Sequence, residues 1–81
     1  MGVISGIVTY ANGQPSTMSY VSAAVGGTFS SGVTNRVKTD SNGRFMLTWS
    51  GDGPANVVYL DGQEVAKNVP SGTNSLHFHV R

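Results

Sequence analysis

Short runs of β-branched, aromatic and other apolar residues follow one another along the whole chain. Gly, Pro, Asn and Ser separate these runs at intervals of about ten residues, which is typical of β-sandwiches and barrels. No window shows the helical spacing of apolar positions. The pattern predicts an all-β fold with seven strands, over residues 3–10, 19–25, 33–39, 44–50, 55–60, 63–67 and 75–80.

Alternation inside the fourth predicted strand indicates which side chains enter the core. Phe45, Leu47 and Trp49 alternate there with polar or flexible residues. We expect them to point inward, where each contributes about 1.5–3 kcal/mol on burial. Together with Val8 and Phe78 they form the predicted core.

The residue pattern of two other predicted strands indicates faces that are exposed to solvent. In the third predicted strand, Arg36 and Lys38 share one face, which we expect to be exposed, with Val33 on the opposite face. In the last strand, His77 and His79 share a face opposite the apolar residues.

Two Asn-Gly segments predict tight turns, because Asn and Gly tolerate the positive φ that tight reversals require. The first turn follows the first strand and ends at a proline, which cannot continue ladder pairing. The second precedes strand 44–50, and Asp61-Gly62 predicts a further two-residue hairpin. The residues with structural turn roles are Asn12, Gly13, Pro15, Asp40, Asn42 and Gly43.

Length and charge limit the classes of function. The 81 residues form one predicted domain, residues 1–81, without cysteine. Five Lys/Arg residues stand against four Asp/Glu residues and form no basic stripe, so we expect no nucleic-acid binding. No apolar stretch approaches the roughly 20 residues that span a bilayer, so no membrane insertion is expected. The first residues show no signal-peptide pattern.

The two turn segments also carry a resemblance to a known family. Gly6-Ile7-Val8-Thr9, Asn12-Gly13-Gln14-Pro15 and Ser22-Ala23-Ala24-Val25 resemble the start of carboxypeptidase regulatory-like domains. The stretch Thr39 to Leu47 resembles the most recurrent motif of that family, Thr-Asp-x-x-Gly-x-Phe-x-Leu. The resemblance implies a seven-stranded antiparallel Greek-key sandwich of the transthyretin-like (prealbumin-like), Ig-like group.

The same resemblance implies a non-catalytic accessory domain. Such domains are typical of secreted, cell-surface or virion proteins, so it implies an extracytoplasmic location. They act as spacers, stabilisers or binding modules beside a parent domain. The family supplies no catalytic residues, and its motif positions here have structural roles only.

Motifs for catalysis are absent from the sequence. No Gly-x-Ser-x-Gly elbow occurs, and the four carboxylates, Asp40, Asp52, Asp61 and Glu64, lie in or beside predicted turns. Hydroxyisourate hydrolases share the transthyretin fold but end in Tyr-Arg-Gly-Ser, which this chain lacks. The first strand also has no lysine for the isopeptide crosslink of pilin-type B domains. We expect no enzyme activity and no cofactor.

Three residues are candidates for binding: Phe29, His77 and His79. The spacing of the two histidines can present both imidazoles to one metal ion, yet a zinc site needs three or four ligands. An exposed polar face is the favoured interpretation, with no metal site. Phe29 lies in the longest glycine-rich loop and either contacts a ligand or folds onto the core.

Two functions are consistent with these observations. The first is a structural or protein-interaction module, which binds a partner, a parent domain or a second copy of itself. Edge strands with few charges favour such pairing. The alternative is a carbohydrate-binding module that uses loop aromatics.

Overall fold

A computed structural model describes residues 2–26, 31–51 and 53–80. The described part contains eight strands and no helix, which confirms the all-β prediction. The strands are β1 (Gly2–Thr9), β2 (Tyr20–Gly26), β3 (Ser31–Val33), β4 (Val37–Lys38), β5 (Arg44–Trp49), β6 (Ala55–Leu60), β7 (Gln63–Val69) and β8 (Leu76–His79). Since no helix is present in these ranges, none is available to cross a membrane.

The strands form two sheets. One has three strands in the order β5-β1-β8, and the other has five, in the order β3-β2-β6-β7 with β4 also paired to β2. All pairs are antiparallel except β1 with β8, which is parallel from Gly6–Leu76 to Thr9–His79. The prediction of wholly antiparallel pairing is therefore wrong at β8. The alternation of side chains along a strand is the same for either direction, so it carries no information on this point.

Gly6 permits the parallel contact between β1 and β8. A Cβ atom at this position would overlap the backbone carbonyl of Leu76. Two backbone hydrogen bonds guide the chain into β8, from Ser5 N to Thr73 O (2.9 Å) and from Gly72 N to Val3 O (2.7 Å). The last strand is thus positioned by the first.

The predicted strand 33–39 is divided in two, which accounts for the eighth strand. Opposite β2, the chain advances four positions from Val33 to Val37, whereas β2 advances three from Ala24 to Val21. The additional residue forms a bulge, and Thr34 there binds Ala23 through both its amide (2.8 Å) and its hydroxyl (3.0 Å). Because the alternation shifts at this point, Val33 is 66% exposed. The prediction of one continuous strand is wrong, whereas Arg36 and Lys38 are exposed as expected.

One core joins both sheets. The alternation predicted for β5 is confirmed, since its even-numbered residues are exposed and its odd-numbered residues are buried. The rings of Phe45 and Phe78 stack with centroids 5.8 Å apart. The buried apolar residues of the three-stranded sheet are Ile4, Val8, Phe45, Leu47, Trp49 and Phe78, and those of the five-stranded sheet are Val21, Ala23, Ala55, Val58, Leu60 and Val69.

The two Asn-Gly turns have the same geometry. In each, a type I turn is followed by a glycine at positive φ, as in a three-residue hairpin loop. Gly13 has φ +88° and donates to Tyr10 O, and Gly43 has φ +73° and donates to Asp40 O. Asn12 is not at positive φ and instead accepts the amide of Gln14 on Oδ1 (3.0 Å). The glycine alone therefore supplies the left-handed conformation.

The second turn packs directly against the first. Gly43 O accepts the amide of Val8 (2.7 Å), and Val8 O accepts the amide of Ser16 (2.9 Å). A Cβ at Gly43 would lie 2.5 Å from Val8 O and 2.9 Å from Pro15 Cβ. The two segments that carry the family resemblance are thus in direct contact with each other.

A buried cluster of hydroxyl groups extends this contact toward β2. Ser16 Oγ and Ser19 Oγ lie 2.6 Å apart. Ser19 exchanges two hydrogen bonds with Thr39, from Ser19 N to Thr39 Oγ1 (3.3 Å) and from Thr39 N to Ser19 O (3.0 Å). All three residues are at least 96% buried, so their polar groups need these partners. The cluster connects the start of β2 to the turn before β5.

Asp40 organises the second turn. Its Oδ1 accepts the amides of Asn42 (2.8 Å) and Arg44 (2.9 Å). The hydrogen bonds from the amides of Arg44 and then Asn42 lower the pKa of Asp40 below its ordinary value of 3.8; desolvation opposes them, and the nearby Arg44 charge adds a weaker lowering. Because the folded-state pKa is lowered, ionised Asp40 stabilises the fold at pH values above its unfolded pKa. That stabilisation is lost as the pH falls through the folded pKa.

Gly43→Ala is predicted to destabilise the protein much more than Gly13→Ala. Both substitutions strain a residue at positive φ, which costs about 1 kcal/mol. Only Gly43 lacks room for a Cβ, since nothing lies within 4 Å of one at Gly13. Overpacking should therefore add about 1–3 kcal/mol at Gly43. Urea unfolding of both variants measures the difference, and equal losses would contradict the packing described here.

Asp40→Asn is predicted to lower the melting temperature at pH 7 by an amount that shrinks as the pH falls through the lowered pKa of Asp40, where the carboxylate becomes protonated in the folded state as well. Thermal unfolding followed by circular dichroism across this range measures the difference. Asp40→Ala serves as the control, because it removes the acceptor altogether and its deficit should persist in acid. A pH-independent deficit in Asp40→Asn would exclude the role assigned to the charge.

Candidate functional site

β5 forms one edge of the three-stranded sheet, and the chain that turns into it from β4 lies beside its outer side near Arg44. β5 ends the three-stranded sheet and pairs on its other side with β1, in an unbroken register from Gly2–Trp49 to Ile7–Arg44. Its exposed side chains are Arg44, Met46 and Thr48, and Met46 is 65% exposed. The edge thus carries one charge over six residues.

One hydrogen bond shows which backbone N–H and C=O groups of β5 point toward this edge. Val8 N donates to Gly43 O, and hydrogen-bonded pairs alternate along an antiparallel ladder. Because Gly43 bonds to β1, every second residue after it does so too. The backbone groups of Arg44, Met46 and Thr48 therefore point away from β1. Asp40 binds both backbone groups of Arg44. Its Oδ1 accepts the Arg44 amide, and its own amide donates to Arg44 O (2.9 Å each). Met46 and Thr48 are left with donors and acceptors directed outward.

The other strand edges in the described ranges carry features that discourage pairing. In β7 the register to β6 shifts between Val58 and Tyr59, Asn68 has φ +53°, and an exposed ion pair joins Glu64 to Lys67 (3.2 Å). The remaining edge strands are short, with four residues in β8, three in β3 and two in β4. The edge of β5 is the longest regular one.

The two histidines form a pair on the outer face of the three-stranded sheet. His77 and His79 are both exposed, and their ring centroids lie 4.5 Å apart. Thr9 Oγ1 contacts a nitrogen on each ring, His77 Nε2 at 2.8 Å and His79 Nδ1 at 3.1 Å. Thr9 is opposite His79 in the parallel register of β1 and β8. The predicted shared face is confirmed, and the register adds Thr9 to it.

A cleft of about 400 Å³ lies between the end of β5 and the segment joining β3 to β4. Trp49 lines its floor, and its Nε1 donates to Gly53 O (3.2 Å). The polar side chains at its walls are Thr34, Asn35, Thr48 and Ser50. Trp49 is largely buried, so the cleft presents mainly hydroxyl and amide groups, which suit a small polar ligand.

A second cleft of about 490 Å³ separates β8 from the hairpin of β6 and β7. The carboxylates near it already have partners. Asp61 Oδ1 accepts the amide of Tyr20 (2.9 Å), and Glu64 pairs with Lys67. In the described residues, no three His, Cys, Asp or Glu side chains are grouped closely enough to hold a metal ion.

The structure distributes the residues singled out by sequence among different surfaces. The turn residues lie at the junction of β1 and β5, the histidines on the outer face, and Phe29 outside the described residues. Sequence reasoning missed Thr9 and the outward backbone groups of Met46 and Thr48. Only strand register reveals these three, because no motif marks them.

Comparison with known proteins adds no relative to this description. No protein-family model matches the chain, and a search of the curated proteins finds no match. The resemblance to carboxypeptidase regulatory-like domains therefore stays a prediction.

Proposed function

We propose that this chain is a non-catalytic protein-interaction module that binds its partner by strand addition at β5. The open edge of β5 carries the proposal. Among the described residues no strand pairs with the outer side of β5, toward which the backbone groups of Met46 and Thr48 point, and the exposed Met46 side chain offers an apolar contact. In β-strand addition, backbone hydrogen bonds give affinity and alternate side chains give specificity.

The wider proposal follows the family resemblance. The chain would be a Greek-key, transthyretin-like sandwich that serves as an accessory domain in an extracellular, cell-surface or virion assembly. Two sheets around a shared core support this architecture. The partner would be another protein, a parent domain or a second copy of the chain.

A carbohydrate-binding function is the second candidate, favoured by the cleft beside Trp49. Sugars hydrogen-bond to hydroxyl and amide groups, which this cleft contains beside the largely buried Trp49. Its volume of about 400 Å³ is in the range of small-molecule sites.

Thr48→Pro is predicted to abolish strand addition while leaving the domain folded. The Thr48 amide points away from β1, so proline there removes no hydrogen bond of the β1–β5 ladder, and edge strands tolerate proline at such positions. Peptides selected from a displayed random library on the parent chain provide the probe. They should protect the Met46 and Thr48 amides from hydrogen exchange and lose at least about tenfold in affinity for Thr48→Pro.

Met18→Lys is the matched control for this experiment. Met18 is 69% exposed, like Met46, but lies outside the strands. Met46→Lys should weaken peptide binding, because a lysine on the edge discourages pairing, whereas Met18→Lys should not. Selected peptides that protect amides elsewhere, or that bind Thr48→Pro unchanged, would contradict strand addition at β5.

The carbohydrate-binding function predicts that a different substitution weakens binding. Asn35→Ala removes an exposed polar group from the cleft without touching the core, so it should weaken binding of any sugar found on a glycan array by about 1 kcal/mol or more. Met46→Lys should leave the same binding unchanged. An array without signal for the parent chain would exclude this candidate for the sugars present.

A further inference from the structure

His77 and His79 converge on a single point of the protein surface. The β8 backbone places them two residues apart on one face, and their rings lie 4.5 Å apart between centroids. The hydroxyl oxygen of Thr9 is within 2.8 Å of one ring nitrogen and 3.1 Å of the other. One small group therefore contacts both imidazoles at once.

We propose that His77 and His79 chelate one divalent transition metal ion of the class that prefers imidazole ligands, namely Cu²⁺, Ni²⁺ or Zn²⁺. The Thr9 hydroxyl marks the position to which both rings are directed. A metal ion near it makes the same two contacts at the shorter bond length of about 2.0–2.1 Å. Both imidazoles are exposed, so their side chains can turn away from the Thr9 hydroxyl to bind the ion.

The surroundings favour an exchangeable ion with open coordination positions. A structural zinc site is closed by four protein ligands, whereas the described residues contain no third His, Cys, Asp or Glu grouped with this pair. Water or a donor from a partner molecule fills the remaining positions. Thr9, a residue only 8% exposed, keeps the two rings beside each other, and its hydrogen bonds to their nitrogens are replaced when these nitrogens bind the ion.

This site is independent of strand addition at β5. The histidines belong to β8, on the opposite edge of the three-stranded sheet from β5. Failure of either proposal leaves the other intact, because the variants that test them share no residue.

Calorimetric titration of the tag-free chain with CuCl₂ and, separately, ZnCl₂ tests the proposal. The chain has only two histidines, so His77→Gln and His79→Gln each leave one imidazole. Chelation predicts one ion per chain and an affinity at least about tenfold lower in each single variant, since the second ligand binds at high effective concentration. Independent imidazoles would instead leave the affinity unchanged in both variants.

A double variant, Ser75→His with His77→Gln, provides the geometric control. It keeps two imidazoles, at position 79 in β8 and at position 75 just before it, and four residues of extended chain span about 13 Å. This separation prevents chelation, so the variant should bind no better than His77→Gln. Single variants that bind within about threefold of the parent chain would overturn the proposal, as would a control that binds as tightly as the parent. Thermal unfolding verifies that each variant is folded.

Discussion

The contact of Gly43 with Val8 and Pro15 is the constraint on which the arrangement of the two sheets depends. It sets the register of β5 on β1 through the bond from Val8 N to Gly43 O. It also brings Ser16 and the turn before β5 close enough for the buried hydroxyl cluster to form. Because that cluster reaches the start of β2, one close approach at a glycine aligns a strand of each sheet.

The features that depend on local pattern could be predicted from sequence. The alternation of Phe45, Leu47 and Trp49 identified the buried face of β5, and Asp61-Gly62 forms the predicted two-residue hairpin between Leu60 and Gln63, with φ +51° and +85°. Both depend on neighbours one or two positions away, where steric and burial preferences act directly.

Features that depend on non-local pairing could not be predicted. The bulge at Thr34 arises from its contacts with Ala23, eleven residues earlier. The grouping of Thr9 with His77 and His79 requires the parallel register of β1 with β8. That register brings together residues that are 68 and 70 positions apart in the chain. Candidate sites on this protein consist mainly of strand edges and cross-strand neighbours. Their positions therefore depend on strand register and not on composition.

The parallel pairing of β1 with β8 has a mechanical consequence. These are the first and last strands of the described chain, and they run side by side in the same direction. A force that enters before β1 and leaves after β8 would pull the two strands lengthwise past each other. Their hydrogen bonds would then share the load together and would not open one at a time. A domain loaded in this way resists extension, because all the hydrogen bonds between β1 and β8 must break together.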